Sequence, residues 1–230
     1  ETSGDHVQFY SQTRDISALA ALQAAATGFI RATAEKNDAI KDTNKQHKIS
    51  IVEFASSANE IYSLQPVTSD NVESAVGKIA DLRANGATGA DYAMDQAKNV
   101  LLYDQSTGTV PDDGRNKVVV FFTDGEPNHN NGFDDTVAAD TVNAAEELKS
   151  AGVTIYTIGL FKEADASDTQ GNFNKYMHAV SSNYPKATAT DDRGFNVTWG
   201  DVDDSDRGYY KVADDAASLV NIFEEISQDV

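Results

Sequence analysis

Cysteine is absent from the 230 residues, which excludes disulfides, thiolate metal sites, cysteine nucleophiles and thioesters together while leaving the redox compartment open. This suits a bacterial surface protein. Basic residues are scarce: 18 Lys and Arg stand against 37 Asp and Glu, a formal charge of -19. A surface of that sign repels nucleic-acid phosphate and anionic lipid and favours cations and basic partners, so no nucleic-acid partner is expected. No apolar run approaches the roughly 18 to 20 residues that span a bilayer, and the first residues lack the charged-then-apolar pattern of a secretion signal. Membrane insertion within this chain is not expected, and any export or anchoring signal is expected outside these residues. Internal repeats and low-complexity tracts are missing too. The 40% of residues that are apolar are enough for one sizeable core, and a single domain over 1–230 is expected.

Periodicity divides the chain into helices and strands. Residues 16–36 place Ile16, Leu19, Leu22, Ala26, Phe29, Ile30 and Thr33 on one helical stripe, with Asp15 positioned to cap the start. HKISIVEF (47–54) reads as a strand and EIYSL (60–64) as its antiparallel hairpin partner at the sheet edge. Ser69 and Asp70 open a helix carrying Val72, Val76, Ile79 and Leu82, stopped by Asn85-Gly86, and another runs from about Ala90 to Tyr103. KVVVFF (117–122) and VTIYTIGLF (153–161) lack polar alternation, as strands covered on both faces do. Between them, DDTVAADTVNAAEELKSAG has the acidic first turn and terminal glycine of a helix. Residues 162–208 form a polar, irregular insertion with one helix near Asn174 to Ser181, before GYYKV and an amphipathic closing helix with Leu219, Ile222, Phe223 and Ile226 inward. Alternating strands and helices predict an α/β fold, a doubly wound and mainly parallel sheet with helices on both faces. Such sheets bind ligands beyond the carboxyl ends of their strands.

Two loops at that end carry oxygen donors. Asp124 follows the 117–122 strand within Asp124-Gly125-Glu126-Pro127-Asn128, and Thr88 lies in a glycine-flanked turn ahead of a helix within NGATGADYAMDQA (85–97). A hydroxyl and a carboxylate suit Mg²⁺, Mn²⁺ or Ca²⁺ and suit Zn²⁺ poorly. Each loop alone is more often just a turn. Glu126 reads as a solvated turn residue, and His6, His47, His129 and His178 show no metal-ligand spacing and read as structural or surface residues. DVDDSDRG (201–208) has Asp206 where a calcium loop needs glycine and reads as a solvated acidic loop. Trp199 reads as local packing.

Taken in order, HKISIVEF, NGATGADYAMDQA, VVVFFTDGEP, VTIYTIGLF and YYKVADDAASLVNIFEEI resemble a von Willebrand factor A domain over nearly the whole chain. The resemblance is nearest to those of sortase-anchored surface and pilus-tip proteins of Gram-positive bacteria. It implies strand order 3-2-1-4-5-6 with strand 3 antiparallel, and adhesion through a metal-ion-dependent site to which Thr88 and Asp124 would each give a ligand. Family members open with a buried strand ending in Asp-x-Ser-x-Ser, and here nothing apolar precedes the first helix, so that central strand is missing from this chain. Glu1, Ser3 and Asp5 stand at the ligand spacings. Either they are a degenerate motif, or ETSGD is the polar loop downstream of one; a terminal segment without a strand behind it favours the second.

The expected function is therefore a non-enzymatic, metal-dependent adhesion module at the Gram-positive cell surface or wall. It would use Mg²⁺ (or Mn²⁺/Ca²⁺) to hold an acidic group of a host or matrix protein, with other pilus or surface subunits as neighbours. The alternative is a structural pilus module that accepts a strand-donating segment, its metal site vestigial. A metal-assisted phosphohydrolase is disfavoured by the lack of a glycine-rich phosphate cradle, of a second aspartate two residues from Asp124, and of a base near a nucleophile.

Overall fold

The structure, a computed structural model, describes residues 17–103, 114–160, 164–200 and 208–229. Helix α1 (Ala18–Asp38) begins where the Ser17 hydroxyl accepts from the Ala20 N–H, satisfying one donor of the open first turn. Asp15, expected as the cap, lies outside the described residues. At the other end the buried Asn37 donates to the carbonyls of His47 (2.8 Å) and Val67 (2.7 Å) and accepts from the His47 N–H (2.7 Å). That clasp sets the start of β1 (Lys48–Phe54) beside the end of α1. β1 pairs antiparallel with β2 (Ala58–Pro66), the expected hairpin, longer at both ends than the sequence predicts.

Helix α2 (Val72–Ala80) stops short of the expected Asn85-Gly86. The Gln23 amide, reaching over from α1, donates to the carbonyls of Ile79, Ala80 and Leu82, and the Arg83 guanidinium donates to Ala80 and Leu82. These donors satisfy carbonyls that another helical turn would otherwise have engaged. Next come α3 (Ala90–Leu102), β3 (Lys117–Thr123), α4 (Asp135–Ser150) and β4 (Val153–Gly159). Asp134 caps α4 by accepting from the Thr136 and Val137 N–H groups, and Gly152 closes it at φ 83°.

The polar segment holds α5 (Asn172–Val180) and a hairpin the sequence did not announce, β5 (Thr188–Thr190) with β6 (Asn196–Thr198). Trp199 packs locally on Tyr184, ring centroids 4.4 Å apart. β7 (Tyr210–Val212) and α6 (Ala216–Asp229) complete the described chain.

β3, β4 and β7 form a parallel sheet with β4 in the middle, and β1–β2 stands apart from it. Phe121 and Ile155 face a core shared with Met94, Leu148 and Met177 of α3, α4 and α5. Tyr156 and Ile158 face the opposite layer, where Ala21 of α1 meets Leu219 and Phe223 of α6. The arrangement is the doubly wound α/β fold with helices on both faces.

His178 on α5 ties three segments together. Asn183 accepts from the Tyr209 N–H (2.8 Å), which turns its amide nitrogen toward His178 Nδ1 (3.4 Å). Nδ1 is then an acceptor, and Nε2 carries the proton that goes to the Ala166 carbonyl (3.0 Å). Burial holds this imidazole below its ordinary pKa, against the opposing pull of the Ala166 carbonyl and Asp168. A histidine kept neutral by folding adds stability that is whole above its unfolded pKa of about 6.5 and is lost as pH falls from there toward the folded value. Calorimetry between about pH 7 and pH 5 should therefore show a steeper fall in thermal midpoint for the native chain than for His178→Gln. Parallel curves would mean the ring does not titrate as described.

Candidate metal-binding site

The two donor loops meet through their backbones. The Thr88 N–H donates to the Asn128 carbonyl (3.0 Å) and the Asn128 N–H to the Thr88 carbonyl (2.9 Å), an isolated antiparallel bridge between the turn before α3 and the loop after β3. One residue on, the Gly89 N–H donates to the Ala55 carbonyl at the end of β1 (2.7 Å). The Thr88 turn is thereby pinned to the carboxyl ends of both β1 and β3. The Asp124 loop is knit by its own side chains: Thr123 Oγ1 donates to the Gly125 carbonyl (2.9 Å), and the Asn128 amide donates to the Glu126 carbonyl (2.8 Å).

Close approach explains two of the glycines. A Cβ on Gly125 would sit 3.2 Å from Thr88 Oγ1, so the residue after Asp124 lies against the threonine hydroxyl. A Cβ on Gly89 would meet the Ala55 carbonyl oxygen at 2.9 Å and the Tyr92 ring at 2.9 Å, inside contact distance. Thr88 is half-buried and Asp124 exposed, on one rim. Among the described residues neither the Thr88 hydroxyl nor the Asp124 carboxylate has a hydrogen-bond or ion-pair partner.

Beside them stands a group that residue spacing did not reveal. His129 donates through Nε2 to Asp91 Oδ1 (3.0 Å), 38 residues away in sequence, and its ring stacks on Tyr92 with centroids 4.6 Å apart. Negative charge accumulates behind this pair. Burial, followed by the charges of Asp91, Asp191 and Asp95, pushes the Asp140 carboxyl above the usual carboxylate range.

The donors present are hard oxygens, the class that suits Mg²⁺, Mn²⁺ or Ca²⁺, and they are few: two against the six or more such ions take. Among the described residues no group of three or more His, Asp or Glu side chains is placed to hold a metal ion. Glu1, Ser3 and Asp5, and positions 201–207 of the acidic run, lie outside the described residues. Glu126 is half-buried in the Asp124 loop.

A family model for the von Willebrand factor type A domain matches residues 20–196. Comparison with curated proteins gave no match. Among solved structures, the pilus adhesin SpaC from Lactobacillus rhamnosus GG in its open conformation aligns with a TM-score of 0.62 at 14% identity, over 94% of this chain and 29% of that one. The von Willebrand domain of the type V pilus tip protein Mfa5 from Porphyromonas gingivalis aligns at 0.59 and 14% identity, over 92% and 87% of the two chains. Proximal thread matrix protein 1 from the mussel byssus, described with a zinc-occupied MIDAS motif, aligns at 0.52 and 14%, over 89% of this chain and 42% of that one. At these identities the likeness is one of fold, and this chain spans less than a third of SpaC.

The tight fit at Gly89 carries a test. Gly89→Ala should cost about 1–3 kcal/mol in urea denaturation, since its Cβ meets backbone that must shift. Gly28→Ala, inside α1 with nothing within 4 Å of the new Cβ, should instead stabilise by about 0.5–1 kcal/mol. Equal effects at the two sites would show that the Thr88 turn is not tightly seated.

Proposed function

The chain belongs to the von Willebrand factor type A family, and from that premise we propose that it is a ligand-binding module of a bacterial surface or pilus protein, capturing an acidic group of its partner through a divalent cation. The observation that carries this reading is the double hydrogen bond between Thr88 and Asn128. It ties the hydroxyl-bearing turn to the Asp124 loop, so two hard donors share one rim. Thr88 Oγ1 and the Asp124 carboxylate would hold Mg²⁺, or Mn²⁺ or Ca²⁺ in its place, and further ligands would come from a third loop and from the partner. When bound, the cation supplies the positive charge to which a carboxylate of a host or matrix protein docks. A bacterial cell surface fits the acidic, cysteine-free composition and the pilus proteins whose fold this chain shares; a Gram-positive one is favoured by the SpaC likeness alone. No helix among the described residues is long and apolar enough to cross a membrane.

A second reading, a structural assembly module with a vestigial cation site, is favoured by the small donor set and by the open sheet between β1 and β3. Titration separates the two. Mg²⁺ or Mn²⁺ added to chelator-treated samples should bind in calorimetry and stabilise by about 2.7 kcal/mol at a hundredfold excess over Kd. Asp124→Ala should abolish both signals, and Thr88→Val should weaken them. Capture of an aspartate-bearing peptide should disappear with EDTA. Absence of cation binding would leave the structural reading standing.

A further inference from the structure

Helix α3 turns Met94, Ala97 and Leu101 toward the slot between β1 and β3. Another of its faces carries Tyr92, Asp95, Gln96 and Asn99, spaced i, i+3, i+4 and i+7 so that they share one surface. Across from them stand Ser56 and Ser57 in the turn between β1 and β2, and the two walls flank an open groove of about 460 Å³. The groove begins at the Thr88 turn, where the Ala87 N–H donates to Ser56 Oγ (3.1 Å) and the Gly89 N–H to the Ala55 carbonyl (2.7 Å). At the helical rise of 1.5 Å per residue, Tyr92 and Asp95 lie about 5 and 9 Å beyond Gly89 along the axis of α3.

Tyr92 is a large side chain left 42% exposed, and it is held in place. His129 stacks on its ring, centroids 4.6 Å apart, and is itself fixed by the bond to Asp91 (3.0 Å). Gly89 lies against the ring, where a Cβ would come within 2.9 Å. A fixed aromatic ring in water adds little to the core and loses little entropy when it meets a ligand. Asp95 is exposed as well. Lys98 reaches Asp95 Oδ1 at 3.4 Å but sits closer to Glu147 (2.7 Å), and Asp95 Oδ2 has no partner among the described residues. The side chains of Gln96, Asn99 and Ser57 likewise have no hydrogen-bond partner among the described residues, and none of the residues that line the groove is cationic.

An aromatic ring, a carboxylate oxygen and several neutral acceptors, with no cation among them, suit a guanidinium. That group stacks on aromatic rings and spreads its planar donors over several acceptors. A carboxylate would be repelled by Asp95, and an apolar side chain would cover the polar wall without satisfying it. We infer that this groove receives a basic side chain, arginine above all, from the partner whose carboxylate docks at the Thr88–Asp124 rim. The carboxylate half of that statement rests on the cation reading, and the groove half does not. An extended chain rises about 3.3 Å per residue, so the acidic and basic residues of the partner stand two or three positions apart.

The test uses glycine peptides with blocked ends that carry one aspartate and one arginine two or three positions apart, the same peptides with citrulline in place of arginine, and versions with asparagine in place of aspartate. Citrulline keeps the shape of arginine and loses its charge. Affinity is measured in Mg²⁺ and in EDTA for the native chain, Asp95→Asn and Tyr92→Leu, while NMR follows the side-chain amides of Gln96 and Asn99. The native chain should bind arginine about 3- to 10-fold more tightly than citrulline, with either metal condition and with either acidic or amide neighbour. Arginine peptides should shift the Gln96 and Asn99 signals, and each substitution should shrink the arginine preference. Equal binding of arginine and citrulline overturns the proposal, as does a preference that survives both substitutions or silence of the two amide signals up to millimolar peptide. An arginine preference without any response to Mg²⁺ leaves the groove standing and counts against the cation reading. Mg²⁺-dependent binding without an arginine preference does the reverse.

Discussion

A strand can bury side chains on both faces only where its backbone is paired along both edges, because unpaired amide and carbonyl groups admit water or demand another partner. That requirement orders the burial in this molecule. β4, flanked by β3 and β7, is buried at every residue except Thr154, whereas β3, an equally continuous apolar run, is buried only at Phe121 and Thr123. β1 has no buried residue at all. The helix over the open edge responds in the same way. On α1, Ala21 and Ala25 pack against α6, while Leu22 and Phe29 on the stripe facing the slot remain half-buried. Sequence pattern and burial disagree in one place, and that place is a single continuous gap in the sheet.

The rim above the gap is firm by contrast. The Thr88 turn is held by backbone bonds to Ala55 and Asn128, and Gly89 fits so closely that a methyl group would strike a carbonyl. Neither donor side chain has a partner among the described residues. Fixed backbone with uncommitted oxygens is how a preorganised cation site is built, since little conformational entropy is lost when the ion arrives. Two donors do not make an octahedron. Firm loops therefore stand beside an open slot, and among the described residues the rim carries these two uncommitted oxygen-bearing side chains.

Helices and strands were legible because apolar spacing survives in the residues themselves: α1, α3, α4, β3 and β4 fall where periodicity puts them to within a few residues. The end of α2 was not legible, since Gln23 and Arg83, rather than the Asn85-Gly86 pair, tie off its carbonyls. The β5–β6 hairpin hid in a polar stretch, because strands of three residues carry too little alternation to stand out. At the site, Thr88 and Asp124 were readable as donor types on loops, but their adjacency depends on backbone bonds to Asn128, which leave no side-chain signature. The Asp91–His129 pair spans 38 residues and is visible only after α3 and the loop beyond β3 are brought together.

Electrostatics gives the proposed cation a role beyond filling a coordination shell. The chain carries a formal charge of -19; Asp124 is exposed on the rim, and the charges of Asp91, Asp95 and Asp191 act on Asp140 of α4. A partner carboxylate brought to about 4 Å from one of these would be repelled by about 4 kcal/mol at an effective dielectric of 20. That is a factor of roughly 1000 in affinity. A dication between the two carboxylates reverses the sign, because each then faces a double positive charge nearer than the opposing negative one. The same acidity would therefore also repel an acidic protein ligand unless a cation is present. Metal dependence in this reading follows from the charge of the surface as much as from the two oxygen donors on its rim.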